Sequence, residues 1–154
     1  MAISVKSDDI LEGMESQSHE WNAYLNRKTG EVVPVSDENL SVAEEDAPLE
    51  DIPDWQQEQI KVATEILWSS DYTQLPDQFE INEYRMMEQF CLSLSDNELS
   101  DKMYYSIKGS RAFRRFKDNI YRFGIAEDWY RFREERYKQV AIRWCEHNNI
   151  PYIE

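Results

Sequence analysis

At 154 residues, with 41% hydrophobic content and five Trp, nine Tyr and six Phe, the chain has enough apolar side chains for one core without disulfides or metals, and is too short for two ordinary domains. A formal net charge of −14 and a pI of about 4.5 disfavour non-specific binding to nucleic acid. Two distant cysteines, Cys91 and Cys145, fall on apolar helix faces, and no segment has the run expected of a signal peptide or membrane span, so a reducing, cytoplasmic setting is expected.

Residues 1–18 are polar and weakly periodic, with Ile10, Leu11 and Met14 the only helical hint, and read as a frayed lead-in or a short helix. Residues 19–35 hold two β-type runs, Trp21 to Leu25 and Val32 to Val35, around a connection containing Gly30; this is a hairpin, with Pro34 confining its second strand to an edge. Residues 36–52 are rich in Asp and Glu and poor in large apolar groups, the composition of a solvated acidic linker.

A helical domain follows over residues 53–150, packed with the hairpin. Its first helix starts near Pro53 with Trp55, Val62, Ala63, Ile66 and Leu67 inward; residues 72–77 form a connector, and a second helix turns Met86, Met87, Phe90, Cys91 and Leu94 inward. Ser95 and Glu98 have capping-box spacing for a third helix carrying Leu99, Met103 and Ile107, which Gly109 closes. The fourth runs between Gly109 and Gly124 with Ser110 as its cap and Phe113, Phe116, Ile120 and Phe123 on one face. The last, opened by Glu127 and Asp128, presents Trp129, Phe132, Val140, Ala141, Trp144 and Cys145 inward, and residues 151–154 form an extended tail. The expected fold is mainly α, about five helices with a small N-terminal β-hairpin, in a single α+β-type domain.

The charge is divided along the chain. Residues 1–100 hold 5 Lys and Arg against 23 Asp and Glu, whereas residues 101–154 hold 12 against 8. The fourth helix concentrates the excess: Lys108, Arg111, Arg114 and Arg115 gather near Ser110, where helix N–H groups and dipole favour an anion. These five residues are the candidate anion- or partner-binding site, with Tyr130, Arg131 and Arg133 as its rim. The plainer reading makes Ser110 a simple cap, the phenylalanines and Trp129 core, and the arginines partners of neighbouring acids or a solvated face.

The run from Gly109 through Asp118, and then Asp128-Trp129-Tyr130-Arg131-Phe132-Arg133, resembles a bacterial family known as uncharacterised protein family 0158. Tyr24-Leu25-Asn26 followed by Thr29-Gly30-Glu31-Val32 resembles its early block, with Asn26 where that block has Asp, and residues 141–146 resemble its closing helix. The resemblance covers most of residues 19–150 and implies no activity, cofactor or catalytic residue.

The residues by themselves indicate no enzyme. Cys145 and His147 diverge on a helix at two-residue spacing, and no Gly-rich phosphate loop, His-Glu-x-x-His helix or paired-cysteine zinc spacing occurs. No cofactor, metal or catalytic residue is expected. The leading expectation is a non-catalytic interaction or regulatory module that binds an anionic partner, a protein or another anionic ligand, through the basic helix. A weak RNA- or DNA-binding regulator using the same helix, or an enzyme with an unrecognised carboxylate site drawing on Glu83, Glu88, Glu127 or Asp128, are the alternatives.

Overall fold

Of the two readings of the lead-in, the short helix is the one that forms. In the computed structural model, which describes residues 4–46 and 48–154, strand β1 (Val5–Lys6) leads into helix α1 (Ser7–Glu15). Ile10 and Met14, one turn apart, are buried, so two apolar anchors suffice to hold this short helix on the sheet. Gly13 lies at its closest approach: a Cβ there would come within 2.6 Å of Leu75 Cδ2 and 2.7 Å of Val32 Cγ1.

The expected hairpin forms from β2 (Trp21–Asn26) and β3 (Val32–Ser36), with Ala23 opposite Pro34 on the edge strand. At its turn, Asn26 Oδ1 accepts from the N–H groups of Lys28 (2.9 Å) and Thr29 (3.3 Å), and Gly30 takes a left-handed φ of 77° that a side chain would resist.

The acidic stretch after the hairpin is not a linker. Helix α2 (Asp37–Glu44) occupies it, capped by Ser36 Oγ accepting from the Asn39 N–H at 3.2 Å, with Asp37 and Glu38 at the positive end. Composition misleads here because a helix packed along one side needs only a narrow buried stripe; Asn39 and Ala43 supply it while the acids face water. A 3-10 turn (Leu49–Asp51) follows, then α3 (Asp54–Trp68).

Asn39 is 4% exposed and fully engaged across these two helices: its Nδ2 donates to Gln59 Oε1 at 2.9 Å and its Oδ1 accepts from Gln56 Nε2 at 2.8 Å. That contact turns the inward face of α3 to Ile60, Ala63 and Ile66, leaving Trp55, expected in the core, 73% exposed. Strand β4 (Tyr72–Gln74), expected as a connector, pairs with the free side of β2 to give the order β3-β2-β4. A single turn, α4 (Gln78–Ile81), ends this stretch.

Helices α5 (Glu83–Ser93), α6 (Asn97–Ser106), α7 (Ala112–Arg122) and α8 (Ala126–His147) complete the helical part. The α6 cap is Asp96 rather than Ser95: its Oδ1 accepts from the N–H groups of Glu98 (3.0 Å) and Leu99 (3.2 Å). Phe90, Phe116 and Trp129 meet edge to face, with Phe116 and Trp129 centroids 4.7 Å apart, beside Met86, Met87, Met103 and Ile120. In the last turns of α8, Trp144 Nε1 donates to the Gln74 carbonyl at 3.0 Å; the chain then ends in β5 (Tyr152–Ile153), parallel to β1.

The fold is thus mainly helical with two small sheets, in the α+β class, and has more helices than the five expected. The contacts divide where one domain is expected. Ile81–Gln139 forms one unit, and the chain up to Glu80 with Val140–Glu154 forms the other. Each has buried residues of its own, with Val35, Ala43, Ala63 and Ile66 clustered in the first and the rings of Phe90, Phe116 and Trp129 in the second.

Candidate functional site

The basic helix begins differently from its sequence reading. Ser110 does not cap it; the N-cap position falls on Arg111, which adopts a left-handed φ of 61° and forms no side-chain cap. Gly109, at φ 89°, turns the chain sharply between α6 and α7. Arg115 stabilises this turn from within α7. Its Nε donates to the Ser106 carbonyl and its Nη2 to the Lys108 carbonyl, each at 2.6 Å, and Nη1 donates to the carbonyl of Ser110. The guanidinium closes the C-terminal end of α6, where unsatisfied carbonyls favour a cation.

Two more of the expected site cations are locally engaged. Lys108 lies 3.9 Å from the centroid of the Tyr104 ring and 3.4 Å from Glu88 Oε2; the Tyr104 hydroxyl, followed by Glu88, holds its ammonium pKa above the usual value. Arg133, expected at the rim, donates from Nε to Glu83 Oε1 at 2.7 Å and stacks on Tyr137, joining α8 to the start of α5. Arg115, Lys108 and Arg133 are therefore parts of the scaffold.

What remains outward is a different set from the one expected. Ala112, Phe116 and Ile120 face the core, and the rest of α7 leaves Phe113 (55% exposed) and Tyr121 (59%) exposed among Arg114, Lys117 and Arg122. Phe113, expected in the core, only touches the edge of Tyr84 at a centroid distance of 6.4 Å. Its displacement follows from helical spacing: with Phe116 and Ile120 inward, a residue three positions earlier lies at the margin of that face. Tyr130 extends the surface from α8; its hydroxyl is 3.2 Å from that of Tyr121, whose pKa is raised by this hydrogen bond. Arg111 and Arg131 are also exposed. Residues 108–124 carry six Lys and Arg against one carboxylate, Asp118. The candidate site expected from sequence leaves out Lys117, Tyr121 and Arg122, although their spacing from Phe113 and Arg114 at four and eight positions carries the signal.

The model of uncharacterised protein family UPF0158 matches residues 3–154. The chain belongs to this family. The match extends over the lead-in and the acidic stretch as well as the blocks that carry the resemblance, in keeping with the ordered α1 and α2. No curated protein matches the chain, and no solved structure does. The departure at Asn26 has a physical account in this UPF0158 member: the position needs a side-chain oxygen to receive two turn N–H groups, which Asn supplies as Asp would.

Elsewhere in the family member, Cys91 and Cys145 are fully buried, and burial pushes both thiol pKa values up to about 11, so neither is a thiolate nucleophile near neutral pH. Cys145 is buried while His147 is exposed on the same helix. Among the described residues no three His, Cys, Asp or Glu side chains converge as metal ligands, and no helix is long and apolar enough to cross a membrane. A polar cleft lies near Gln17, His19, Asn22 and Asp77, where Gln17 is occupied in bonds to the Pro76 carbonyl and the Ala23 N–H.

Proposed function

We propose that this UPF0158 chain is a non-catalytic interaction or regulatory module that binds an anionic protein partner through the outer face of α7. The observation that carries the reading is the exposure of Phe113 and Tyr121 among Arg111, Arg114, Lys117 and Arg122 on one helix. Aromatic rings give desolvated contact area at small entropic cost, and the guanidinium groups match carboxylates in a forked geometry. Of the residues expected from sequence, Arg111 and Arg114 act as anion ligands, Tyr130 and Arg131 form the rim, and Lys108, Ser110, Arg115 and Arg133 shape the scaffold behind them. The two buried thiols suit a reducing compartment, and we place the protein in the bacterial cytoplasm.

The second reading, a weak RNA- or DNA-binding regulator, draws on the same interleaving of rings and cations, a pattern of single-strand binders. The net charge of −14 opposes it, because a long polyanion meets the repulsion of the whole chain whereas a short acidic segment meets α7 alone. The test is a fluorescence anisotropy titration with a labelled acidic peptide containing aromatic residues, and in parallel with a labelled oligothymidine. Peptide binding that falls at least about tenfold in the Arg114→Glu, Lys117→Glu double variant, with weaker binding of the oligonucleotide, is the expected result. Equal peptide binding by wild type and variant overturns it.

A further inference from the structure

One surface of the other unit has the opposite character. Residues 37–65 carry ten Asp and Glu against a single Lys, Lys61, and all ten acidic residues are exposed. Between α2 and α3 runs an open groove of about 400 Å³. Val42, Leu49 and Ile60 form its apolar floor, and Asp46, Glu65 and Lys61 stand at its rim. Leu49 is 40% exposed, so the floor is accessible to a partner. Glu65 also receives a hydrogen bond from the Tyr72 hydroxyl at 3.2 Å, which keeps its carboxylate on this side of α3.

Resting on the reading of α7 as an anion-binding face, we propose that the partner of α7 is the α2–α3 groove of a second copy of this chain. Charge selects the pairing: Arg111, Arg114, Lys117 and Arg122 are exposed with one carboxylate, Asp118, in their segment, whereas residues 37–65 present ten carboxylates with one lysine. An amphipathic helix laid in such a groove places its two rings on the apolar floor and its Arg and Lys side chains among the rim acids. Nucleic acid offers carboxylate-like charge but no apolar floor for the rings. Each copy carries both surfaces, so the contact is head to tail and builds closed rings or longer assemblies.

Sedimentation velocity on the full chain over a concentration series tests this, at low salt and at about 0.5 M NaCl, where the screening length falls to a few Å. Wild type is expected to associate at low salt and to associate at least about tenfold more weakly at high salt. The Arg114→Glu, Lys117→Glu variant and the Asp46→Lys, Glu65→Lys variant should each be monomeric, with unchanged circular dichroism. Mixing the two should restore a heterodimer, since each retains one intact surface. A wild type that stays monomeric at low salt overturns the proposal, as does association that survives both reversals. Acidic-peptide binding that still depends on Arg114 and Lys117 would in that case leave the reading of α7 standing, whereas loss of both sinks both. Binding of oligothymidine by a monomeric wild type, lost on reversal of α7, would assign the face to nucleic acid and also overturn the proposal.

Discussion

The guanidinium of Arg115 reaches back nine residues to the Ser106 carbonyl, its Nε donating at 2.6 Å, and thereby closes one helix while belonging to the next. Two further carbonyls, of Lys108 and Ser110, share the same side chain. Replacing Arg115 by Ala should cost about 2 to 3 kcal/mol, read as a fall in the urea midpoint, because three charge-assisted bonds to carbonyls are lost together. Arg115→Lys should recover only part of this, since a single ammonium cannot span three acceptors in a plane. Arg114→Ala, at an exposed position one residue away, should change stability by no more than about 0.5 kcal/mol while weakening anion binding.

Asn39 locks α2 onto α3 through paired amide bonds. Asn39→Ala leaves Gln56 and Gln59 without these partners and should lower stability by about 1 to 3 kcal/mol in a urea titration. Asn39→Asp keeps the acceptor for Gln56 but loses the donor to Gln59, and should be destabilising in the same sense. A linker at this position would make both substitutions silent.

Gly13→Ala raises intrinsic helix propensity by about 1 kcal/mol yet should destabilise the protein by about 1 to 3 kcal/mol, because the new methyl meets Val32 Cγ1 and Leu75 Cδ2. Pairing it with Val32→Ala should return part of the loss. Thermal melts of the two single variants and the double variant measure the coupling.

The buried thiols give a pH dependence of known sign. In the folded protein Cys91 and Cys145 hold their protons up to about 11, whereas the unfolded chain releases them near the ordinary thiol value of 9.0. Between these values the folded state binds more protons than the unfolded one, so stability falls as pH rises, by about 1.4 kcal/mol per thiol for each unit of separation. Urea midpoints from neutral pH to pH 10 should decline, and Cys91→Ala with Cys145→Ala should flatten the thiol part of that decline. Native protein should react slowly with a thiol reagent at neutral pH, and both thiols should react fast in urea.

Periodicity alone determined the hairpin, the order of the later helices and the buried residues Met86, Met87, Phe90, Met103, Phe116, Ile120 and Trp129, because each belongs to a stripe with a strong local period. It also marked residues 108–124 as the cationic element, since charge is counted without knowing the fold. Tertiary structure decided the rest. Residues 37–44 became helical because α3 offers Gln56 and Gln59 to a buried Asn39, a pairing 17 and 20 residues apart that composition averages away. Trp55 and Phe113 sit at the margins of apolar stripes, and only the neighbours that pack on each helix determine which margin is covered. The same holds for the cations: Arg114 and Arg115 are adjacent and alike in sequence, but helical rotation by about 100° per residue turns one to solvent and the other onto the carbonyls of α6.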